Sequence, residues 1–258
     1  MHNNQPIGLF DSGIGGTSIW SAIHTLLPNE STIYLADSAN APYGEKSKAE
    51  ILALCKKNTE LLLSKGCKLI VVACNTATTN AIKELRALYD VPFIGIEPAI
   101  KPAALSSKTQ TIGILATKGT LSSELFNKAV EVYKTTTIVE QIGHGLVELI
   151  EAGQLESEEI QLKLKNYLEP MIAANIDYLV LGCSHYPYLI PAIKKILPAH
   201  IQIIDSGEAV AKQTLAVLKE KTGLHDSSTS THVFYTNSNP NILSALLDAK
   251  CTVKQLDF

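Results

Sequence analysis

With 258 residues and 46% hydrophobic content, the chain can bury one large α/β core or two smaller ones, which excludes a structureless polypeptide. Its net charge of −3 is spread along the sequence and offers no positive field to displace counterions, so nucleic acid is not an expected partner. The opening MHNNQPIGLF lacks the charged and apolar regions of a signal peptide, and no apolar run reaches the roughly 18 residues that cross a bilayer; a cytoplasmic protein with no membrane partner is expected.

Short apolar runs that read as buried parallel strands follow one another along the chain: PIGLF (6–10), TIYLA (32–36), KLIVVA (68–73), PFIGI (92–96), TIGIL (111–115), TTIVEQI (136–142), DYLVLG (177–182) and IQIID (201–205). Amphipathic stretches between them predict helices, among them 48–64, 76–89, 158–173 and 209–221. A last strand pair, HVFY (232–235) and CTVKQLDF (251–258), flanks a helix beginning near Pro240. Strand and helix in alternation imply parallel sheets covered on both faces.

The strands also repeat. Gly8 aligns with Gly113 and Ile33 with Ile138 at one spacing, and Cys74 with Cys183 and Ile94 with Ile204 at nearly the same one. The expected architecture is therefore two similar four-stranded α/β domains related by a pseudo-twofold axis, with the active site in the cleft where their strand ends meet. Ligands of open α/β sheets bind at those carboxyl ends. The boundaries that follow place 1–97 plus 208–258 in the first domain and 98–207 in the second.

FDSGIGGTS follows a strand and opens a helix, as a dinucleotide fingerprint does. However, Ser18 stands where the third glycine belongs, and Asp11 would repel a pyrophosphate. The turn reads instead as a set of free N–H groups suited to a carboxylate. Five cysteines without a Cys-x-x-Cys spacing argue against disulfides and zinc, and no metal is expected. Cys55, Cys67 and Cys251 read as small buried hydrophobes. Cys74 and Cys183 differ: each ends a strand ahead of a predicted helix N-terminus, which lowers a thiol pKa from its free value of about 8.5.

Two such thiols at equivalent places in a duplicated fold would face one substrate from opposite sides. That arrangement suits proton exchange at a stereocentre, where one thiolate removes a proton and one thiol returns it. Asp11 would raise the pKa of a neighbouring thiol, and a cationic His185 would lower it. Arg86, the only arginine, lies mid-helix and is not expected to clamp a carboxylate. Hydroxyls and N–H groups from Ser12, Thr76, Thr117, Thr120 and Ser184 would do so instead.

DSGIGG (11–16), APYG (41–44), ACNTAT (73–78), ATKGT (116–120) and GCSHYP (182–187), in this order over essentially the whole chain, resemble the bacterial glutamate racemases. The resemblance implies that Cys74 and Cys183 are the acid/base pair, Cys74 serving D-glutamate and Cys183 L-glutamate. Asp11 and His185 would assist them, with Glu151 of ELIEAG as a further acidic residue. Substrate contacts would come from Asp11, Ser12, Pro42, Tyr43, Gly44, Asn75, Thr76 and Ser184. The implied enzyme needs no cofactor, takes glutamate as its small-molecule partner, supplies D-glutamate for peptidoglycan and leaves room for a homodimer. Ser184 stands where Thr is commoner, Tyr188 replaces a Leu, and the stretch before Glu151 lacks a frequent Cys-Pro. His185, in place of Glu, favours glutamate over aspartate. Other amino-acid racemases of the superfamily share the fold, and a bilobal binding protein without turnover would have no use for symmetric thiols.

Overall fold

A computed structural model of the protein describes residues 4–225, 229–247 and 251–258. The first half runs β1 (Ile7–Asp11), α1 (Thr17–Leu26), β2 (Thr32–Ala36), α2 (Lys48–Ser64), β3 (Leu69–Val72), α3 (Asn75–Leu88) and β4 (Phe93–Gly95). After α4 (Ile100–Ser106) the second half follows as β5 (Thr111–Ala116), α5 (Lys118–Leu121), α6 (Glu124–Val132), β6 (Thr137–Ile142), α7 (Leu146–Glu151), α8 (Glu158–Ala173), β7 (Tyr178–Gly182), α9 (Ile190–Lys194) and β8 (Gln202–Ile204). The chain then returns through α10 (Gly207–Val217), β9 (His232–Thr236), α11 (Pro240–Ser244) and β10 (Thr252–Gln255). The expected helix over 209–221 gives way after Val217 to a wider π-type turn, Leu218–Thr222.

All strands pair in parallel. One sheet has the order β10-β9-β2-β1-β3-β4 and the other β6-β5-β7-β8, so the second repeats the β2-β1-β3-β4 core of the first. The register corrects the repeat at one place. Gly8 pairs with Ile33 and Ile70, while Gly113 pairs with Val139 and Leu179; Ile33 therefore corresponds to Val139, not Ile138. A one-residue slip moves every side chain to the other face of a sheet. In β6 little distinguishes the two faces, because it is an edge strand with no fully buried residue. Its counterpart β2 is covered by β9 and β10.

The central strands β1 and β3 are buried throughout, as expected for continuous apolar runs between helices. Ser47 starts α2 with a full capping box through Glu50. The largest apolar cluster crosses between the halves, bringing Ile14 and Ile19 together with Val147, Leu189 and Val210. A buried ion pair at 2.9 Å joins Lys68 to Glu30, and Lys68 also donates to the Gly223 carbonyl at 3.1 Å, which fastens the returning chain to the base of β3. No helix among the described residues is long and apolar enough to cross a membrane.

Candidate active site

In each sheet the chain reverses its direction of growth between the two central strands, and a crevice opens there at their carboxyl ends. Asp11 closes β1 and Cys74 follows β3; Thr117 follows β5 and Cys183 follows β7. The two crevices face each other, and one pocket is lined from both sides. Ser12, Pro42, Tyr43, Gly44, Asn75 and Thr76 contribute with Cys74 from the first half, and Thr117, Ser184 and His185 with Cys183 from the second. Val147, which the sequence reading passed over, completes the wall. Among the described residues no lysine or arginine lines it, and Arg86 is engaged elsewhere, donating to the Phe93 carbonyl at 3.1 Å.

The two thiols have unlike partners. Cys74 is the N-cap of α3, its Sγ accepting the Ala77 N–H at 3.4 Å, and its thiol donates to Ser12 Oγ at 3.7 Å. Burial, reinforced by the charge of Asp11, pushes the Cys74 thiol well above its usual range, against the pull of those two hydrogen bonds. Cys183 caps no α-helix, contrary to expectation. The residues after it form a turn and a 3-10 segment, Tyr186–Leu189, before α9 begins. Pro187 and Pro191 break the sequence there, each removing an N–H that a continuous helix would use. Cys183 has an imidazole instead, its Sγ lying 3.8 Å from His185 Nδ1.

His185 is 1% exposed. Burial works against its charge, yet the hydrogen bonds to Cys183 and Glu151 and the charge of Asp11 prevail and hold its pKa well above the ordinary histidine value. His185 Nε2 meets Glu151 Oε1 at 2.6 Å. The Ile14 N–H donates to the same oxygen at 2.6 Å and the Ser38 hydroxyl to Oε2 at 2.7 Å. Burial opposes ionisation of Glu151, but these bonds outweigh it and keep the carboxyl below its usual range. Asp11 is fully buried, with Oδ2 accepting from the Gly16 N–H at 2.8 Å and Oδ1 from the Ser184 hydroxyl at 3.2 Å. Burial lifts its pKa despite His185 and Gly16.

The glycine turn is only in part a set of free donors: its Ile14 and Gly16 amides are taken by the protein's own Glu151 and Asp11 carboxylates, which corrects the expectation for those two. Thr120 also stands apart from its expected place. It is fully buried and does not line the pocket, but backs the hydroxyls of Thr76 at 3.3 Å and Thr117 at 3.0 Å. Asn75 lines the pocket at 2% exposure, and neither polar atom of its amide has a partner among the described residues. A buried unpaired amide marks where a polar group of a ligand would bond.

Two groups next to the site were not singled out in the sequence: Ser38, and Tyr34, whose hydroxyl donates to the Gly13 carbonyl at 2.9 Å; Tyr188, noted there only as replacing a Leu, is hydrogen-bonded to Thr17. Ser38 had a visible signal, since Asp37-Ser38 follows β2 as Asp11-Ser12 ends β1. Of the remaining cysteines, Cys55 and Cys67 are buried, and burial pushes the Cys67 thiol up to about 12. Cys251 departs from expectation in being only half-buried. Among the described residues no three histidine, cysteine or acidic side chains gather as a metal site would require.

The family description Asp/Glu/Hydantoin racemase matches residues 15–214. The glutamate racemase of Stutzerimonas stutzeri is 44% identical over 94% of this chain and 92% of its own length, and that of Herpetosiphon aurantiacus 45% identical over 83% and 85%. Among solved structures, a glutamate racemase from Bacillus anthracis superposes with a TM-score of 0.89 at 31% identity, covering 99% of this chain and 98% of that one. The Escherichia coli glutamate racemase, crystallised with L-glutamate and an activator, gives 0.87 at 32% identity and 98% coverage of both. The Francisella tularensis glutamate racemase, crystallised with D-glutamate, gives 0.86 at 28% identity, with 99% and 98% covered. On these matches the chain belongs to the Asp/Glu/hydantoin racemase family, an isomerase standing among its glutamate racemases.

Proposed function

We propose that the chain interconverts L- and D-glutamate without a cofactor, Cys74 and Cys183 exchanging a proton with Cα from opposite faces. One observation carries the reading: thiols at corresponding strand ends of two like sheets line a single pocket with unlike helpers. His185, its pKa held well above the ordinary histidine value, lies 3.8 Å from the Cys183 sulfur, while burial and Asp11 keep Cys74 protonated. With Cys183 as the base and Cys74 as the acid the site acts on L-glutamate, Cys183 removing the Cα proton and Cys74 delivering one to the far face. The opposite protonation form acts on D-glutamate. Hydroxyls of Ser12, Thr76, Thr117 and Ser184 and the amide of Asn75 are the groups available to hold the two carboxylates and the charge that develops beside Cα.

The relatives crystallised with L-glutamate and with D-glutamate support this substrate. The catalytic cleft would then lie between a first domain of 1–97 plus 208–258 and a second of 98–207. The product would feed peptidoglycan synthesis in the cytoplasm, so cells depleted of the protein should lyse unless given D-glutamate.

Circular dichroism of L-glutamate and, separately, L-aspartate incubated with the protein tests reaction and substrate together: glutamate should lose its signal and aspartate keep it. Replacing either cysteine by alanine should lower racemisation by about a thousandfold or more, the scale of a lost acid/base group. A Cys74→Ala or Cys183→Ala protein racemising at the wild-type rate would end the two-thiol reading.

A further inference from the structure

Glu151 closes α7 in the second half, yet two of the three groups that grip its carboxylate come from the first. His185 holds Oε1 from its own side of the cleft, the Ile14 N–H shares that oxygen from across it, and the Ser38 hydroxyl takes Oε2. The turn carrying Ser38 is itself fixed. The Asp37 N–H donates to the Asp11 carbonyl at 3.1 Å. The Asp37 carboxylate accepts from the Tyr43 hydroxyl at 2.5 Å, from Asn40 at 2.7 Å and from Asn237 at 2.5 Å. Ser38 is thus a pre-set donor aimed across the cleft. A carboxylate held through one oxygen can still rotate about its last bond, and a charge-assisted donor on the second oxygen removes that freedom.

We propose that Ser38 is a positioning residue for the Cys183 side of the reaction, locking Glu151, and through it His185, only when the two halves are closed. The proposal rests on the two-thiol reading above. Its consequence is one-sided, because Cys74 donates to Ser12 and accepts from Ala77, whereas the Ser38 hydroxyl bonds Glu151. Ser38 is also absent from the pocket lining, so its loss should fall on kcat and leave KM nearly unchanged.

The test uses glutamate analogues carrying a leaving group at Cβ. The base takes the Cα proton, the C–H electrons form the Cα–Cβ double bond, and the group departs with the electrons of its bond to Cβ. Only the deprotonating thiol is needed, and each enantiomer reports one face. Ser38→Ala should slow elimination from the L-analogue by about tenfold, as loss of a residue supporting a catalytic group does, while elimination from the D-analogue stays within about twofold. Ser38→Thr, which keeps the hydroxyl, should restore the L-rate to within about twofold of wild type. Equal slowing from both enantiomers, no slowing, or no rescue by threonine would overturn the clamp. Cys183→Ala separates the two possible failures. If it still eliminates from the L-analogue, the facial assignment fails and the clamp with it; if it does not, while Ser38→Ala eliminates from that analogue at the wild-type rate, the clamp alone is overturned.

Discussion

Gly13 and Gly15 are held to glycine by what crosses the cleft toward them. A Cβ on Gly13 would stand 1.8 Å from Glu151 Oε1, and one on Gly15 2.3 Å from His185 Nδ1. Neither contact is possible with those side chains in place. Gly13→Ala is therefore expected to drive Glu151 off His185 and lower kcat by about ten- to a hundredfold, the cost usual for a displaced supporting group. The same alanine added to Glu151→Ala should cost little more, because the atom it would strike is gone. Steady-state racemisation by the two single variants and the double variant measures that coupling. Losses that simply multiply would show that Gly13 acts by a route other than Glu151.

Among the elements, β9 couples the first sheet to pH. His232 at its start bonds Thr32 and Ser230 and lies edge-on to Trp20 and His24. Burial first, and the charge of His24 second, lower its pKa from 6.5 to about 4. Between those values the unfolded chain binds more protons than the folded one, so this histidine takes stability away as pH falls through the window, and no more below it. His232→Asn should flatten the fall in urea midpoint between pH 7 and pH 4 relative to wild type; an unchanged slope would show that other groups set it. Most of the strands were legible because fully buried parallel strands are unbroken apolar runs, and LIVV of β3 is buried at every position. The edge strand β6 carries no such marker, and its register was misread by one. The 3-10 segment after Cys183 could have been foreseen from Pro187 and Pro191. The fate of the glycine-turn amides could not, since the carboxylate that takes the Ile14 N–H lies 137 residues away and only the closed tertiary structure brings it there.

For the molecule as a whole, the decisive quantity is the space left between the halves. The pocket between the thiols has a volume of about 10 Å³, close to the least that holds one water, so a substrate the size of glutamate enters only when the halves part. Several bonds must then break, among them Ser18 Oγ to the Ser184 carbonyl at 3.0 Å and Asn80 to the Gly119 carbonyl at 3.0 Å. The Tyr188 hydroxyl is a further tie. Thr17 spends its own proton on the Ile14 carbonyl at 2.6 Å, so its oxygen accepts from Tyr188 across the cleft. Removing that bond should cost the closed form about 1 kcal/mol, and thereby raise the open population about fivefold. Cys74 and Cys183 are 4% and 5% exposed, so alkylation by iodoacetamide requires opening and follows that population. Tyr188→Phe is expected to speed labelling of Cys183 about fivefold, and saturating glutamate should suppress labelling in both proteins by holding the cleft shut. Peptide mass mapping resolves the sites, with half-buried Cys251 as the internal reference. If Cys183 labels no faster relative to Cys251 in Tyr188→Phe than in wild type, Tyr188 does not hold the cleft closed, and closure depends on the bonds to Glu151, Ser184 and Gly119.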